Sequence, residues 1–213
     1  MSRLRIAVVV EGQGEVAAAP LLLRRIASEI AGVDVEVLRP VLAKRQQLET
    51  REGLRRYVGL AAAKLKAASP TGEPALVLLL ADRDPSPQPP CLLGPEVLKM
   101  AQDLYPHLDI ACVLANVEYE TWFAASTESL TAYLQLKPGE SVPVTPEVQR
   151  CGKKWVASRF RGPRYSETQD QPRMTAAIDL QVARRRSPSL DKLCREIEIR
   201  AGAVGNLGPG TLE

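Results

Sequence analysis

Apolar positions along the chain switch between two periods. Arg5 to Val10 is a short apolar run ending in the turn Glu11-Gly12-Gln13-Gly14-Glu15. From Val16 to Ile30, the residues Leu21, Leu22, Ile26 and Ile30 keep a helical period, so the segment reads as strand, turn, helix. Val33 to Leu38 shows β-branched alternation and predicts a second strand. Leu48 to Ala68 predicts a helix with Leu54, Val58, Ala61, Leu65 and Ala68 on one face. Leu76 to Leu80 is continuously aliphatic, the mark of a strand buried on both faces of a parallel sheet. Pro85 to Pro95 reads as an exposed loop because its prolines lack backbone donors; Pro95 to Leu104 then predicts a helix and Ile110 to Leu114 a fourth strand. Strands alternating with helices predict an α/β fold, a mostly parallel sheet flanked by helices, whose ligands collect at the carboxyl ends of the strands.

Composition changes this picture in its second half. The chain has 213 residues and a formal net charge of +3. Residues 1–149 hold 15 Lys or Arg against 18 Asp or Glu, whereas residues 150–200 hold 13 against 6. We therefore expect one core: residues 1–135 carry the acidic clusters, and 136–213 form a basic, mainly helical extension packed on the same core. The basic surplus suits a phosphodiester partner, with Arg159, Arg161, Arg164, Arg184, Arg185 and Arg186 as candidate nucleic-acid contacts. A solvated basic helix would show the same count.

The apolar runs are too short to span a bilayer, and the start Met-Ser-Arg-Leu-Arg lacks the apolar stretch of a secretory signal, so a cytoplasmic location is expected. Cys91, Cys112, Cys151 and Cys194 are widely separated and accompany a single histidine, His107. That spacing gives no basis for a structural zinc site and predicts unpaired thiols.

Three carboxylate pairs carry the candidate chemistry: Glu11 and Glu15, Asp82 and Asp84, and Glu118 and Glu120. Each falls just after a predicted strand. Six acids in one cleft cannot all stay ionised without a counter-charge, so either their pKa values rise or a divalent cation, Mg²⁺ or Mn²⁺, sits among them, and the cation is the favoured reading. Asp82 and Asp84 lie two residues apart, so on an extended segment both would face one ion. Glu118 and Glu120 meet the same condition only if residues 117–120 are extended and a helix starts near Thr121. Glu11 and Glu15 are about one helical turn apart.

A rival motif overlaps the first pair, since Gly12-x-Gly14-x-x-Ala17 after a strand is formally a dinucleotide fingerprint. Glu15 counts against it by standing where the pyrophosphate would sit. Gly-Lys-Ser/Thr is absent as well, which excludes a Walker A loop. His107 reads as a surface residue, Trp122 and Phe123 as core, and Ala201 to Gly210 as a frayed end.

The strand ending in Glu11-Gly12-Gln13-Gly14-Glu15 resembles the E-G-x-T-E opening of Toprim-type nucleases related to the overcoming-lysogenization-defect proteins, with Gly14 at the Thr position. Asp82-Arg83-Asp84 looks like the Toprim D-x-D. Glu118 to Phe123, Gly152-Lys153-Lys154, Tyr165 to Thr168, Gln171, Met174-Thr175 and Ser187-Pro188-Ser189 are similar to the domain-of-unknown-function family numbered 4276, and the match runs from Ile6 to about Leu193. This resemblance implies a Toprim-like sheet, Mg²⁺ held by acids and phosphodiester chemistry on DNA or RNA. It also implies an AAA-type ATPase partner in a phage-defence or toxin-like system.

On that basis Asp82 and Asp84 are expected to hold one ion, while Glu11, Glu15, Glu118 and Glu120 hold a second or orient the attacking water. Glu11 is the candidate general base, and Lys153 or Lys154 would offset charge on the phosphate. The alternative is a non-catalytic adaptor that regulates an ATPase or binds nucleic acid. Self-association is left open by the sequence.

Overall fold

The computed structural model describes residues 3–68, 74–84 and 86–205, with side chains as far as 202. Among them, five strands form one parallel sheet: β1 (Leu4–Val10), β2 (Val35–Val37), β3 (Val41–Leu42), β4 (Ala75–Asp82) and β5 (Ile110–Ala115). The order is β2-β1-β4-β5, and β3 also pairs with β1. β2 pairs with the start of β1 and β3 with its end, so the two act as one edge strand broken around Pro40. Proline cannot donate to the ladder, and the pairing resumes once it is passed. The expected second strand is therefore shorter than 33–38, and β3 is an addition to it.

Both sheet faces are buried, which is what the continuous aliphatic runs require. Alternate residues of β1, β4 and β5, such as Ile6, Leu78 and Val113, enter a core shared with α1 (Gln13–Glu29) and with the carboxyl-terminal helices α7 (Glu167–Ala177), α8 (Leu180–Arg186) and α9 (Pro188–Gly205). The opposite residues, such as Val9, Leu79 and Cys112, enter a core built with α3 (Arg51–Ala68) and α4 (Pro90–Leu104). Trp122 and Phe123 are fully buried in the first core, His107 is exposed, and the four cysteines are unpaired. No helix among the described residues is long and apolar enough to cross a membrane.

Three boundaries differ from expectation. The helix expected over 48–68 divides into α2 (Arg45–Leu48) and α3, because the Thr50 hydroxyl accepts the Gly53 N–H at 3.1 Å and starts a new helix. The stretch expected to be loop up to Pro95 is already helical from Pro90, where proline occupies a first-turn position whose N–H has no partner to lose. Position 85 lies outside the described residues. The carboxyl-terminal helix continues through Ala201 to Gly205 rather than fraying there, and the rest of the expected frayed end lies outside the described residues.

Candidate active site

β1 and β4 are neighbours whose connections leave toward opposite edges of the sheet, so the crevice at their carboxyl ends is a topological switch point. A cleft of about 220 Å³ lies there, lined by Glu11, Glu15, Arg45, Asp82, Glu118 and Glu120, with Gly12, Lys153, Glu167 and Gln171 completing the wall. Five of the six paired acids thus converge although they are scattered along the sequence.

Each acid is held by local structure. Glu15 lies in the first turn of α1, and its Oε2 accepts the backbone N–H groups of Glu11 and Gly12 at 3.2 and 3.4 Å. It fills the helix N-terminus with its own anion, which is where a dinucleotide pyrophosphate would have to bind. Asp82 ends β4, and its Oδ1 accepts the Tyr119 N–H at 2.8 Å. Glu11 Oε2 is buried and accepts no hydrogen bond; Arg45 Nε stands 3.5 Å away. The same Nε donates to the Asp82 carbonyl at 2.7 Å, so Arg45 ties the ends of β1 and β4 together.

Residues 118–121 form a turn rather than the extended segment expected, with Thr121 N–H donating to the Glu118 carbonyl at 3.0 Å. The two acids nevertheless reach one cleft from different directions. Glu118 Oε2 accepts the Lys153 N–H at 2.7 Å, and a side chain at Gly152 would collide with that carboxylate. Glu120 is 3% exposed, and its Oε1 accepts the Tyr165 hydroxyl at 2.9 Å and the Gln171 amide at 3.4 Å.

Burial and mutual repulsion push these carboxyls upward. Glu11 rises to about 7, mainly through desolvation, with the Arg45 guanidinium and the Asp82 N–H pulling it back. Glu15 also rises to about 7, through desolvation and then the Glu11 charge. Asp82 is raised by desolvation and by Glu15, Glu11 and Glu120; Glu120 is raised by desolvation.

Asp84 does not join them. The Arg83 N–H donates to the Ala115 carbonyl at 2.8 Å and shares the Val117 carbonyl with the Asp84 N–H at 3.1 Å each, so the alternation of the strand ends by Asp84. The Asp84 carboxylate is instead taken by Arg83 at 3.1 Å and Arg150 at 2.8 Å. Lys153 lines the cleft and pairs with Glu167, whereas Lys154 is exposed and outside its lining.

The six arginines divide as sharply. Arg159 is bound to Glu140 and stacks on Trp155 at 4.1 Å, Arg184 is bound to Asp191 and Glu198 at 2.7 Å each, and Arg186 is bound to Glu128 at 2.7 Å. Arg159 and Arg184 brace the extension itself, Arg186 ties it to the part of the chain before residue 135, and all three are engaged by acids rather than open. Arg161, Arg164 and Arg185 are exposed. Arg45, Tyr165 and Gln171 were missed as cleft residues; the available signal was the place of Arg45 just after a short β-branched segment and of Tyr165 and Gln171 within a recognised motif block.

The donors suit a hard divalent cation in kind, being carboxylate oxygens with one buried and unpartnered. As the side chains stand, no group of three or more His, Cys, Asp or Glu among the described residues has the spacing to hold a metal ion. Glu15 and Asp82 spend oxygens on backbone N–H groups instead.

No curated protein and no solved structure matches the chain significantly. The family model described as "Domain of unknown function (DUF4276)" matches residues 10–198, a span that contains every cleft residue, and the chain belongs to that family.

Proposed function

We propose that the protein is a metal-dependent phosphodiesterase of Toprim type acting on nucleic acid. The carrying observation is that Glu11 and Asp82, at the ends of neighbouring parallel strands, face one cleft in which the Glu11 Oε2 is buried without a hydrogen bond. Glu11 and Asp82, with Glu15 and Glu120 behind them, are the residues that would hold Mg²⁺ or Mn²⁺. The ion supplies charge neutralisation among the acids and polarises the phosphoryl oxygen.

The chain's own groups do the rest. Glu11 is also the carboxylate placed at the cleft to take the proton of the attacking water. Arg45 holds Glu11 and the end of β4 in register. Lys153 stands in the cleft wall as the cation for the non-bridging phosphate oxygens. Glu118 fixes Lys153 by accepting its backbone N–H, and Tyr165 fixes Glu120. Hydrolysis leaves one end as a phosphomonoester and the other as a hydroxyl. A cytoplasmic setting beside an AAA-type ATPase in a phage-defence or toxin-like system belongs to the same reading.

A second reading is favoured by one observation, the absence of a formed three-ligand group among the described residues. It makes the chain a non-catalytic adaptor for an ATPase or for nucleic acid. Thermal melts with and without Mn²⁺ separate the two: the phosphodiesterase gains stability from the ion and Asp82→Asn abolishes the gain, whereas an adaptor shows no gain. Incubation with plasmid, single-stranded DNA and RNA in Mg²⁺ or Mn²⁺ completes the test. Cleavage that survives Asp82→Ala overturns the assignment.

A further inference from the structure

Between Phe160 and α7 the chain makes a short exposed loop carrying Arg161 and Arg164. It is pinned at both ends. Leu134 and Phe160 form an antiparallel bridge, and the Arg161 N–H donates to the Tyr133 carbonyl at 2.8 Å. At the other end the Tyr165 hydroxyl donates to Glu120 inside the cleft, and the Ser166 N–H donates to Asp170 at 2.8 Å. Two residues beyond Tyr165, Glu167 lines the cleft itself. The loop therefore runs into the cleft wall at Glu167 and is fixed relative to the cleft floor through Tyr165.

Its two guanidiniums differ from their neighbours. Arg159, Arg184 and Arg186 are bound to acids of the same chain, whereas Arg161 and Arg164 are exposed and have no acidic partner among the described residues. A fixed pair of free cations beside a buried acidic floor is suited to an anion that is repeated along a chain.

The size of the cleft restricts that chain. At about 220 Å³ it is smaller than the roughly 300–1,000 Å³ of sites that enclose whole small molecules, so a phosphate enters while its sugar and base stay outside. The Glu11 side chain is only 14% exposed, so the phosphate must be lowered below the surface to meet it. A duplex, stiff over about 150 base pairs, holds its phosphates against a convex cylinder and resists that bend, whereas a single strand does not.

We infer that the cleft takes one phosphodiester of a single nucleic-acid strand at a time, and that Arg161 and Arg164 hold the adjoining phosphates beside it. This rests on the phosphodiesterase reading above and adds the form of the substrate and the side from which it is gripped.

The test is fluorescence anisotropy of the full chain in Ca²⁺, a hard cation that neutralises the acidic floor in place of Mg²⁺, with a labelled DNA single strand, its RNA counterpart and the blunt DNA duplex. Both single strands bind more tightly than the duplex. The pair Arg161→Ala and Arg164→Ala weakens single-strand binding and flattens the plot of log K against log salt by about 1.4, for two lost phosphate contacts. Lys replacements at both positions keep the slope, and so does Lys99→Ala on α4 as a charge control. Melting curves check that the loop variants remain folded.

A slope unchanged in the double Ala variant, or a duplex bound as tightly as the single strands, overturns the inference and leaves the phosphodiesterase reading standing. Wild-type protein that binds none of the three probes removes the phosphodiesterase reading itself.

Discussion

The cleft stores repulsion that one oxygen-to-nitrogen change should release. Glu11 titrates at about 7 instead of its ordinary 4.5. Ionising it in the folded chain is therefore about 3 kcal/mol harder than in the unfolded chain. The sign follows from proton counting. Between 4.5 and about 7 the folded protein keeps a proton that the unfolded chain has lost, so metal-free stability is full at low pH. It falls as pH rises through this window and is lowest above it. Glu11→Gln holds the side chain in a neutral form of the same shape.

At about pH 8 the variant should gain about 3 kcal/mol, a figure already net of the attraction of Arg45 for the ionised form, and a melting point roughly 8 °C higher is expected. At about pH 5 the wild-type carboxyl is already mostly protonated when folded, and the gain shrinks to under about 1 kcal/mol. Thermal melts in EDTA at both pH values measure it. Part of the gain comes from Glu15, whose own rise owes its second-largest contribution to the Glu11 charge, so Glu15→Gln added to Glu11→Gln yields less than the sum of the two. If the Glu11→Gln and wild-type stabilities run parallel from acid to alkaline pH, Glu11 does not ionise against a penalty and the electrostatic account of the cleft is wrong.

Two other substitutions probe the geometry. Asp84→Ala should leave any Mn²⁺-induced melting shift intact, since Asp84 is engaged by Arg83 and Arg150, and should cost under about 1 kcal/mol in a urea titration as loss of a partly exposed ion pair. A shift lost in Asp84→Ala would return that residue to the ligand set. Gly14→Thr should destabilise by about 1–3 kcal/mol in the same titration, because its Cβ would lie 2.7 Å from the Glu167 carbonyl oxygen and collide with the Gln171 side chain. A neutral outcome would mean that α1 and α7 are not in the contact described.

What could be read from the sequence was what depends on local pattern. Continuous aliphatic runs such as Leu76 to Leu80 identify strands buried on two faces, and acids at the ends of such runs fall at the rim where α/β sheets bind ligands. This is why Glu11 and Asp82 meet. Asp84 was out of reach for the same reason. The two-residue rule presumes that the strand continues, and this one stops where the Arg83 and Asp84 N–H groups share the Val117 carbonyl. The arginines show the limit of charge counting. Arg184 and Arg161 look alike in composition, but Arg184 finds acids seven and fourteen residues on, and only the folded backbone reveals that Arg161 finds none among the described residues.

The segment after residue 135 helps to build the cleft as well as the core. Within it, Lys153 and Glu167 line the wall, Tyr165 and Gln171 hold Glu120, and α7 enters the same core as α1. Gly14 makes that packing feasible. Any larger residue there would meet the α7 backbone at Glu167, so α7 lies against α1 at Gly14 only because that position has no side chain. The glycine at position 14 and the docking of α7 are then two sides of one packing solution. The acids at the strand ends set the chemistry of the floor. The extension sets which of them are buried, which hydrogen bonds they accept and which cation stands in the wall.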